Sequence, residues 1–447
     1  MPDQTSFSHA LPPFNRRSAL RGIAGLAAAG LSTGLLSACG DDDDSKSSGS
    51  TDSGGSATGP ITFGSNYSDA ATKTAFAALI DEASTKTAVK VTVNTTDHNT
   101  FQNNISNYLQ GTPDSLATWF AGYRLQFFAS QGLLSPLDDV WEKIGANFND
   151  AAKNLSKGLD GHYYMVPLYN YPWVVHYNKS VFASKGYEVP TTWDAFITLA
   201  KKMQSDGLVP LAFADKDGWP ALGTFDILNM RVNGYDYHIK LMKHEVPWTD
   251  PGVAAVFDKW REMSPYLQKG ANGRIWQDAA KALENKQAGM MFQGTNQVAA
   301  NYSAAHLEDL DFFVFPAINP SFGTDFMDAP TDGFMLPKKG TNAAAAKKVL
   351  EYIGTPEAET SFLKTDHWDV GLATGLVAPT YNAIQKKSVE EIGKCKNVAQ
   401  FMDRDTVPDM ANAMIKLIQQ FVDKPTPDTI ASIQKSAEDQ AKTIFTS

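Results

Sequence analysis

The stretch Val89-Lys90-Val91-Thr92-Val93 alternates apolar and polar residues, as a half-buried β-strand does. It follows residues 69–84, in which apolar residues recur at helical spacing, and a short apolar segment at residues 61–64. A second helix is predicted to end at Gly111, and residues 116–120 form the next predicted strand. Strands that alternate with helices in this way indicate an α/β fold with a mainly parallel sheet. Ligands of such open sheets usually bind at the carboxyl ends of the strands.

The remainder of the chain repeats this pattern and becomes mainly helical beyond Thr341. Thr192 is placed to cap a helix that ends at Gly207. Buried strands are predicted at residues 289–292 and 311–315. Further helices are predicted at residues 253–263, 276–286, 343–353, 356–363, 409–421 and 428–445.

Size and charge limit the classes of function to be considered. A chain of 447 residues exceeds one ordinary domain and can bury a large core, so two lobes are expected. Its formal net charge of −10 argues against nucleic acid as a partner. The only cysteines are Cys39 and Cys395, which excludes a cysteine-based metal cluster. No metal and no cofactor is predicted.

The N-terminus carries the pattern of an export signal. Arg16-Arg17 precedes an uncharged run and the processing sequence Leu36-Ser37-Ala38-Cys39. Residues 1–38 are therefore predicted to be a twin-arginine lipoprotein signal peptide, and Cys39 to become the acylated first residue. An ordinary membrane helix is the alternative, but an apolar run of about 17 residues is shorter than the roughly 20 that span a bilayer.

A polar segment separates the signal from the first predicted strand. Residues 39–60 include the run Asp41 to Asp44 and almost no apolar side chain, so they cannot bury surface. We predict a disordered tether there. With the lipid on Cys39, the tether would hold the protein at the extracellular face of the cytoplasmic membrane.

Sequence motifs of common catalytic sites are missing. The chain has no Gly-x-Ser-x-Gly, no His-Glu-x-x-His and no Gly-rich phosphate loop. Among its histidines, His238 and His244 come nearest to each other, and they do not have the spacing of metal ligands on a helix. The prediction is that the protein is not an enzyme. An exported glycan hydrolase or lyase stays open as an alternative, because the separation of a carboxylate pair is a spatial property.

Aromatic residues concentrate beside predicted turns. The segments are Trp119-Phe120-Ala121-Gly122-Tyr123-Arg124, Tyr169-Asn170-Tyr171-Pro172-Trp173 and Asp217-Gly218-Trp219-Pro220. A pyranose ring has apolar C–H faces and a belt of hydroxyl groups, so its pocket needs flat aromatic surfaces flanked by polar side chains. Trp219 in particular is predicted to lie in a turn. The tryptophans of predicted amphipathic helices are assigned to the core, namely Trp193, Trp248, Trp260 and Trp276.

Several further motifs occur in an order that resembles a known family. They are Gly111-Thr112-Pro113-Asp114, Gln131-Gly132-Leu133, Tyr164-Met165-Val166-Pro167, Val175-His176-Tyr177-Asn178-Lys179, Gly289-Met290-Met291-Phe292-Gln293-Gly294 and Asp332-Gly333-Phe334. Together with the aromatic segments they resemble the family 1 extracellular solute-binding proteins, the carbohydrate-binding lipoproteins of ABC importers, of the maltose-binding-protein type. The resemblance covers nearly the whole chain after the tether.

The resemblance implies a periplasmic-binding-protein-like fold, in which two α/β lobes enclose a ligand cleft. The first lobe would comprise residues 61–171 and 319–363, and the second residues 172–318 and 364–447. A monomer of this kind captures a mono- or oligosaccharide and delivers it to two transmembrane permease subunits and their ATPase, which are separate chains. The alternatives are binding proteins for glycerol phosphate or for a peptide. A phosphate ligand would need clustered basic residues, and only Arg124 lies in an aromatic segment.

The resemblance also implies which residues contact the ligand. The predicted set is Asn66, Trp119, Tyr123, Arg124, Tyr171, Trp219, Asp226, Gln293, Asn296, Asp332, Trp368 and Asp369. Its three tryptophans would stack on the sugar, and Arg124, Asp226 and Asp332 would orient the hydroxyl groups. The chain has Asn296 where the family often has Trp, so a polar contact would replace a stacking platform there.

Overall fold

The computed structural model describes residues 59–376 and 381–445. The predicted signal peptide, the lipid on Cys39 and nearly all of the tether lie outside these residues. The strands are β1 (Ile61–Ser65), β2 (Val91–Thr95), β3 (Leu116–Phe120), β4 (Met165–Asn170), β5 (Trp173–Asn178), β6 (Val209–Leu211), β7 (Ala288–Gly294), β8 (Leu310–Phe313), β9 (Phe326–Asp328), β10 (Thr331–Met335), β11 (Val370–Gly371) and β12 (Asn397–Ala399).

The helices of the described residues follow in the same numbering. They are α1 (Ala70–Thr87), α2 (His98–Gln110), α3 (Tyr123–Ser130), α4 (Asp138–Ile144), α5 (Asp150–Leu155), α6 (Lys179–Lys185), α7 (Trp193–Ser205), α8 (Trp219–Asn233), α9 (Tyr235–Met242), α10 (Pro251–Met263), α11 (Trp276–Glu284), α12 (Thr295–Ala300), α13 (Ala343–Ile353), α14 (Pro356–Thr365), α15 (Ala383–Lys394), α16 (Met402–Asp405), α17 (Pro408–Asp423) and α18 (Pro427–Ile444). None of them combines the length and the apolar character needed to cross a membrane.

The first lobe is built on a six-stranded sheet with the order β11-β4-β10-β3-β1-β2. As the alternation of strands and helices predicts, β1 pairs in parallel with β2 and with β3. Against that pattern, β10 is antiparallel to both β3 and β4. Phe76 of α1 lies 5.7 Å from Phe334 of β10 and 5.3 Å from Phe362 of α14, measured between ring centroids. These buried rings hold the helices against the sheet.

The second lobe is built on a four-stranded sheet with the order β6-β7-β5-β8. Here β5 is antiparallel to both of its neighbours, and β6 is parallel to β7. Phe421 of α17 lies 4.9 Å from Phe257 and 5.3 Å from Trp260, both on α10. The α/β architecture of two lobes is therefore the one expected from the sequence.

The chain crosses between the sheets more than once, and two crossings differ from the predicted lobe boundaries. β11 pairs with β4 in the first sheet, although residues beyond 363 are assigned above to the second lobe. Residues 319–328 stay beside the second lobe, because the Asn319 N–H donates to the Arg231 carbonyl at 3.0 Å and β9 pairs with β12. Strands of two or three residues have no periodicity that a sequence could display.

Two helices that matter below begin directly after a glycine with positive φ. Gly122 (φ 96°) precedes α3, and Gly218 (φ 81°) precedes α8. A Cβ at Gly122 would lie 2.9 Å from the Arg404 carbonyl oxygen, so the glycine lets α16 approach closely. Trp219 is thus the first residue of α8 and does not lie in a turn, which corrects the prediction.

Candidate functional site

A cavity of about 370 Å³ lies between the two lobes. The first turns of five helices line it, namely α1 and α2 from the first lobe and α8, α11 and α12 from the second. N–H groups in the first turn of a helix have no partner within the helix, so they suit ligands that are rich in oxygen. The lining residues are Tyr67, Ser68, Asp69, Ala70, Ala71, Thr72, Asp97, His98, Asn99, Gln102, Tyr171, Trp173, Asp217, Trp219, Ile275, Trp276, Gln277, Asn296, Gln297, Ala300, Asn301, Asp332, Phe401, Asp403 and Arg404.

Three tryptophans form an aromatic wall on the side of the second lobe. The Trp219 ring lies 6.2 Å from both Trp173 and Trp276, and its contact with Trp173 is edge to face at 83°. Trp173 and Trp276 are buried, whereas Trp219 is only half-buried. Trp219 therefore offers the ring surface on which an apolar sugar face can stack.

Arg404 is the centre of a charged network that borders the cavity. Its Nη1 contacts Oδ1 of Asp332 at 2.5 Å, and its Nη2 donates to the Tyr171 hydroxyl at 3.2 Å. The second oxygen of Asp332 accepts from the Tyr169 hydroxyl at 3.1 Å. Burial is the largest single cause and acts to lower the pKa of Arg404, but Asp332, Tyr171 and Asp403 together outweigh it, so the pKa is raised. The guanidinium and its partner therefore present fixed opposite charges to the cleft.

The backbone before Arg404 is strained. Phe401, which lines the cavity, has φ 102°, a value that side-chain-bearing residues rarely adopt. Such strain costs about 1–3 kcal/mol and is found mainly at functional sites. The unusual turn directs the short helix α16, with Asp403 and Arg404, into the space between the lobes.

His98 is the titratable ring of the first-lobe wall. Its Nδ1 lies 3.2 Å from the Asn66 amide nitrogen, and its Nε2 lies 2.6 Å from that of Gln102. Burial is the main cause that lowers the pKa of His98, and the positive charge of Arg404 adds to it. The ring is therefore neutral near pH 7, and it acts as a polar contact and not as a charge.

Side chains of the two lobes touch each other across the cleft. The Asn99 Nδ2 donates to Oδ1 of Asp217 at 3.0 Å, and the Gln277 Nε2 donates to Oδ1 of Asp69 at 3.0 Å. These contacts join α1 and α2 of the first lobe to the segments that begin α8 and α11. The lobes are thus in a closed arrangement.

Five of the predicted contact residues meet at this site. Tyr171, Trp219, Asn296 and Asp332 line the cavity described above. Arg124 lines a second, adjoining cavity of about 280 Å³.

For Trp119 and Asp226, the structure contradicts the predicted contact with the ligand. The Trp119 side chain is fully buried in β3, with Phe128 at 5.7 Å, so it is a core residue and offers no stacking face. Asp226 is fully buried in α8, and its Oδ2 accepts the Met402 N–H at 2.7 Å. It therefore holds the start of α16 and does not contact the cleft. The position of a residue near the end of a strand does not determine whether its side chain points into the core or into the cleft.

The other predicted residues lie behind or beside the cavity. Asn66 is buried and acts through its contact with His98. Gln293 and Asp369 are buried, and Tyr123 and Trp368 are half-buried, and none of these four lines either cavity.

Most of the polar side chains that line the cavity are not among the residues predicted from the sequence. Asp403 and Arg404 come from a four-residue helix that has no amphipathic pattern. Trp276 is buried as predicted, and as the first residue of α11 it also lines the cavity, which its helical pattern does not indicate. Among the described residues, no group of three or more His, Cys, Asp or Glu could hold a metal ion.

Comparison with protein families and curated relatives places the chain among solute-binding proteins. A family model of bacterial extracellular solute-binding proteins matches residues 68–360. An uncharacterised ABC transporter extracellular-binding protein of Pyrococcus horikoshii is 27% identical over 293 residues, which is 64% of each chain. The α-glucoside-binding periplasmic protein AglE of Rhizobium meliloti is 25% identical over 293 residues, which is 57% of this chain and 61% of that one. The chain thus spans a little under two thirds of the length of these relatives.

Solved structures agree with this placement. The bacterial solute receptor AcbH, described as having an exclusive preference for β-D-galactopyranose, is 84% identical, with a TM-score of 0.86 over 87% of this chain and 100% of that chain. A chitin oligosaccharide binding protein shares the fold at 21% identity, with a TM-score of 0.75 over 86% of this chain and 100% of that chain. The chain therefore belongs to the bacterial extracellular solute-binding protein family, as the sequence resemblance predicted.

Proposed function

We propose that the protein is the sugar receptor of an ABC importer and that it binds a monosaccharide of the galactopyranose class. The observation that carries this proposal is the 84% identity to AcbH over the full length of that chain. A receptor this similar in sequence is expected to share most of its cleft chemistry.

The chemistry of the cavity supports a sugar ligand. Trp219 supplies a half-exposed ring, and Asp332 and Arg404 supply charge-assisted hydrogen bonds to hydroxyl groups. Asn296 Oδ1 and Gln297 Oε1 have no hydrogen-bond partner within the described residues, although both side chains line the cavity. Sugar hydroxyls can supply the missing partners.

Capture would depend on closure of the lobes. A sugar that contacts Trp219 in one lobe and Asp332 in the other binds the closed arrangement more tightly than the open one. The cross-lobe hydrogen bonds from Asn99 and Gln277 would form in the same movement. The permease can then recognise the closed surface.

Calorimetry with the purified protein tests the proposal. Galactose should bind, and glucose and mannose should bind more weakly. Recovery of galactosides unchanged after incubation would support a receptor, whereas release of product would support the hydrolase alternative. Absence of binding to any sugar, together with binding of a phosphorylated or peptide solute, would overturn the assignment.

We further propose that residues 1–38 direct export through the twin-arginine route and that Cys39 carries the lipid. The support is the sequence Arg16-Arg17 and the processing site that ends at Cys39. A monomer tethered by residues 39–60 would then present sugar to the two permease subunits and their ATPase. In cells, Cys39→Ser should abolish fatty-acid labelling and release the protein, and Arg17→Lys should reduce export. Unchanged labelling in the Cys39 variant would contradict the lipid assignment.

A further inference from the structure

A second cavity adjoins the main cavity. The second cavity, of about 280 Å³, is lined by Asn99, Gln102, Asn103, Arg124, Lys216, Asp217, Trp219, Asp403, Ala411, Asn412 and Ile415. Asn99, Gln102, Asp217, Trp219 and Asp403 line both cavities. We call these five residues the dividing wall. They come from both lobes and from α16.

Paired side chains build much of the dividing wall. Asn99 of the first lobe donates to Asp217 of the second at 3.0 Å. Gln102 accepts a hydrogen bond from Arg124 at 2.7 Å, and Arg124 lies 3.5 Å from Oδ2 of Asp403. Of these pairs, the Asn99–Asp217 pair is the one that joins α2 directly to the segment before α8 by a hydrogen bond. A contact between two side-chain tips can be removed by one substitution without disturbing the sheets.

The second cavity has the chemistry of a sugar subsite. Trp219 gives it an aromatic face, because the ring borders both cavities. Arg124 is buried with its Nε unpaired, and Asp403 is buried with its Oδ1 unpaired by any hydrogen bond within the described residues. Lys216 and Asp217 add one further charge of each sign. An anion would need clustered basic groups, whereas Arg124 lies beside Asp403 and Lys216 is followed by Asp217, so the lining favours a neutral polar ligand.

We propose that the second cavity is a closed-off second sugar subsite, and that the Asn99–Asp217 hydrogen bond limits the wild-type receptor to a single pyranose ring. This inference rests on the proposed sugar-receptor function. Asn99 and Asp217 line both cavities and hydrogen-bond to each other, so on this proposal their side chains close the route that a glycosidic linkage would need. Their removal joins the cavities without removing Trp219, Asp332 or Arg404.

The test uses calorimetry with galactose and a panel of galactose disaccharides of different linkages. The variants are Asp217→Ala and, as an independent route to the same opening, Asn99→Ala. Wild-type protein should bind galactose and bind every disaccharide much more weakly. Each variant should bind one disaccharide linkage at least about tenfold more tightly than wild type does, with thermal melting used to verify that it is folded.

A matched control separates opening of the wall from looser closure of the lobes. Asp69→Ala also removes a cross-lobe hydrogen bond, that from Gln277 at 3.0 Å, but both residues line the main cavity alone. This variant should lose affinity for galactose and gain none for a disaccharide.

The outcomes that overturn the inference are distinct. Wild-type protein that binds a disaccharide as tightly as galactose would refute the selective wall and leave the receptor function intact. If the folded Asp217→Ala and Asn99→Ala proteins gain no affinity for any disaccharide, the second subsite is refuted. If Asp69→Ala gains as much disaccharide affinity as they do, the effect comes from looser closure of the lobes. Wild-type protein that binds no sugar would overturn the proposed function and this inference together.

Discussion

Glu359 should make the protein less stable as the pH rises from acidic to neutral. Its side chain on α14 is fully buried, and its Oε2 accepts the N–H groups of Leu372 and Ala373, both at 2.8 Å. Burial is the largest cause that changes the pKa of Glu359 and raises it from 4.5 to about 8, against the opposing effect of the two hydrogen bonds. The folded protein therefore keeps a proton that the unfolded chain has already released.

The difference in pKa between the folded and unfolded states sets the sign and the size of the change in the free energy of unfolding with pH. Above about pH 4.5 the unfolded carboxyl group ionises, while the folded one stays neutral until about pH 8. The free energy of unfolding consequently falls by up to about 1.4 kcal/mol per pH unit in that window, or about 4 kcal/mol between pH 5 and pH 8. Glu359→Gln removes the titration and keeps the shape of the side chain.

Urea unfolding of wild type and Glu359→Gln at pH 5, 6, 7 and 8 measures the effect. The difference in free energy of unfolding should grow with pH in favour of the glutamine variant. Glu357→Gln is the matched control, because Glu357 is two residues away, exposed, and paired with Lys86 on the surface, where an ion pair contributes little. A difference between wild type and Glu359→Gln that does not change with pH would refute the reasoning.

Three further predictions concern the cleft and the core. Trp219→Ala should weaken sugar binding by about 1–3 kcal/mol, as expected when an aromatic anchor is truncated; calorimetry that finds unchanged affinity would show that the Trp219 ring does not contact the sugar. Trp119→Ala should lower the free energy of unfolding by about 3–5 kcal/mol because it leaves a cavity in the core, while the affinity of the folded fraction, measured by calorimetry, stays near that of wild type. Arg404→Lys should reduce sugar affinity by at least about tenfold, because an ammonium group cannot reproduce the separate contacts of the guanidinium with Asp332 and Tyr171. Calorimetry with wild-type affinity for this variant would show that the charge alone suffices.

The sequence predicts some of the residues that line the cleft. The family resemblance implies Tyr171, Asn296 and Asp332 as contact residues, and they do line the cavity. Trp119 and Trp219 are both predicted from the sequence to stack on the sugar, and both lie near a glycine-containing turn. Packing separates them, because β3 is buried along its whole length while Trp219 begins a helix at the edge of the cleft.

The amino-acid sequence by itself determined the α/β architecture, the family, and elements such as β3 and α13, whose predicted and observed bounds coincide. The architecture and the element bounds depend on periodicity, which neighbouring residues display together, and the family depends on the order of short motifs along the chain. Only the tertiary structure decided that Arg404 pairs with Asp332 across 72 positions of the chain, and that Asn99 meets Asp217 between two cavities. Such pairs form because packing of the lobes brings distant segments together, and no repeat along the chain records which segments those are.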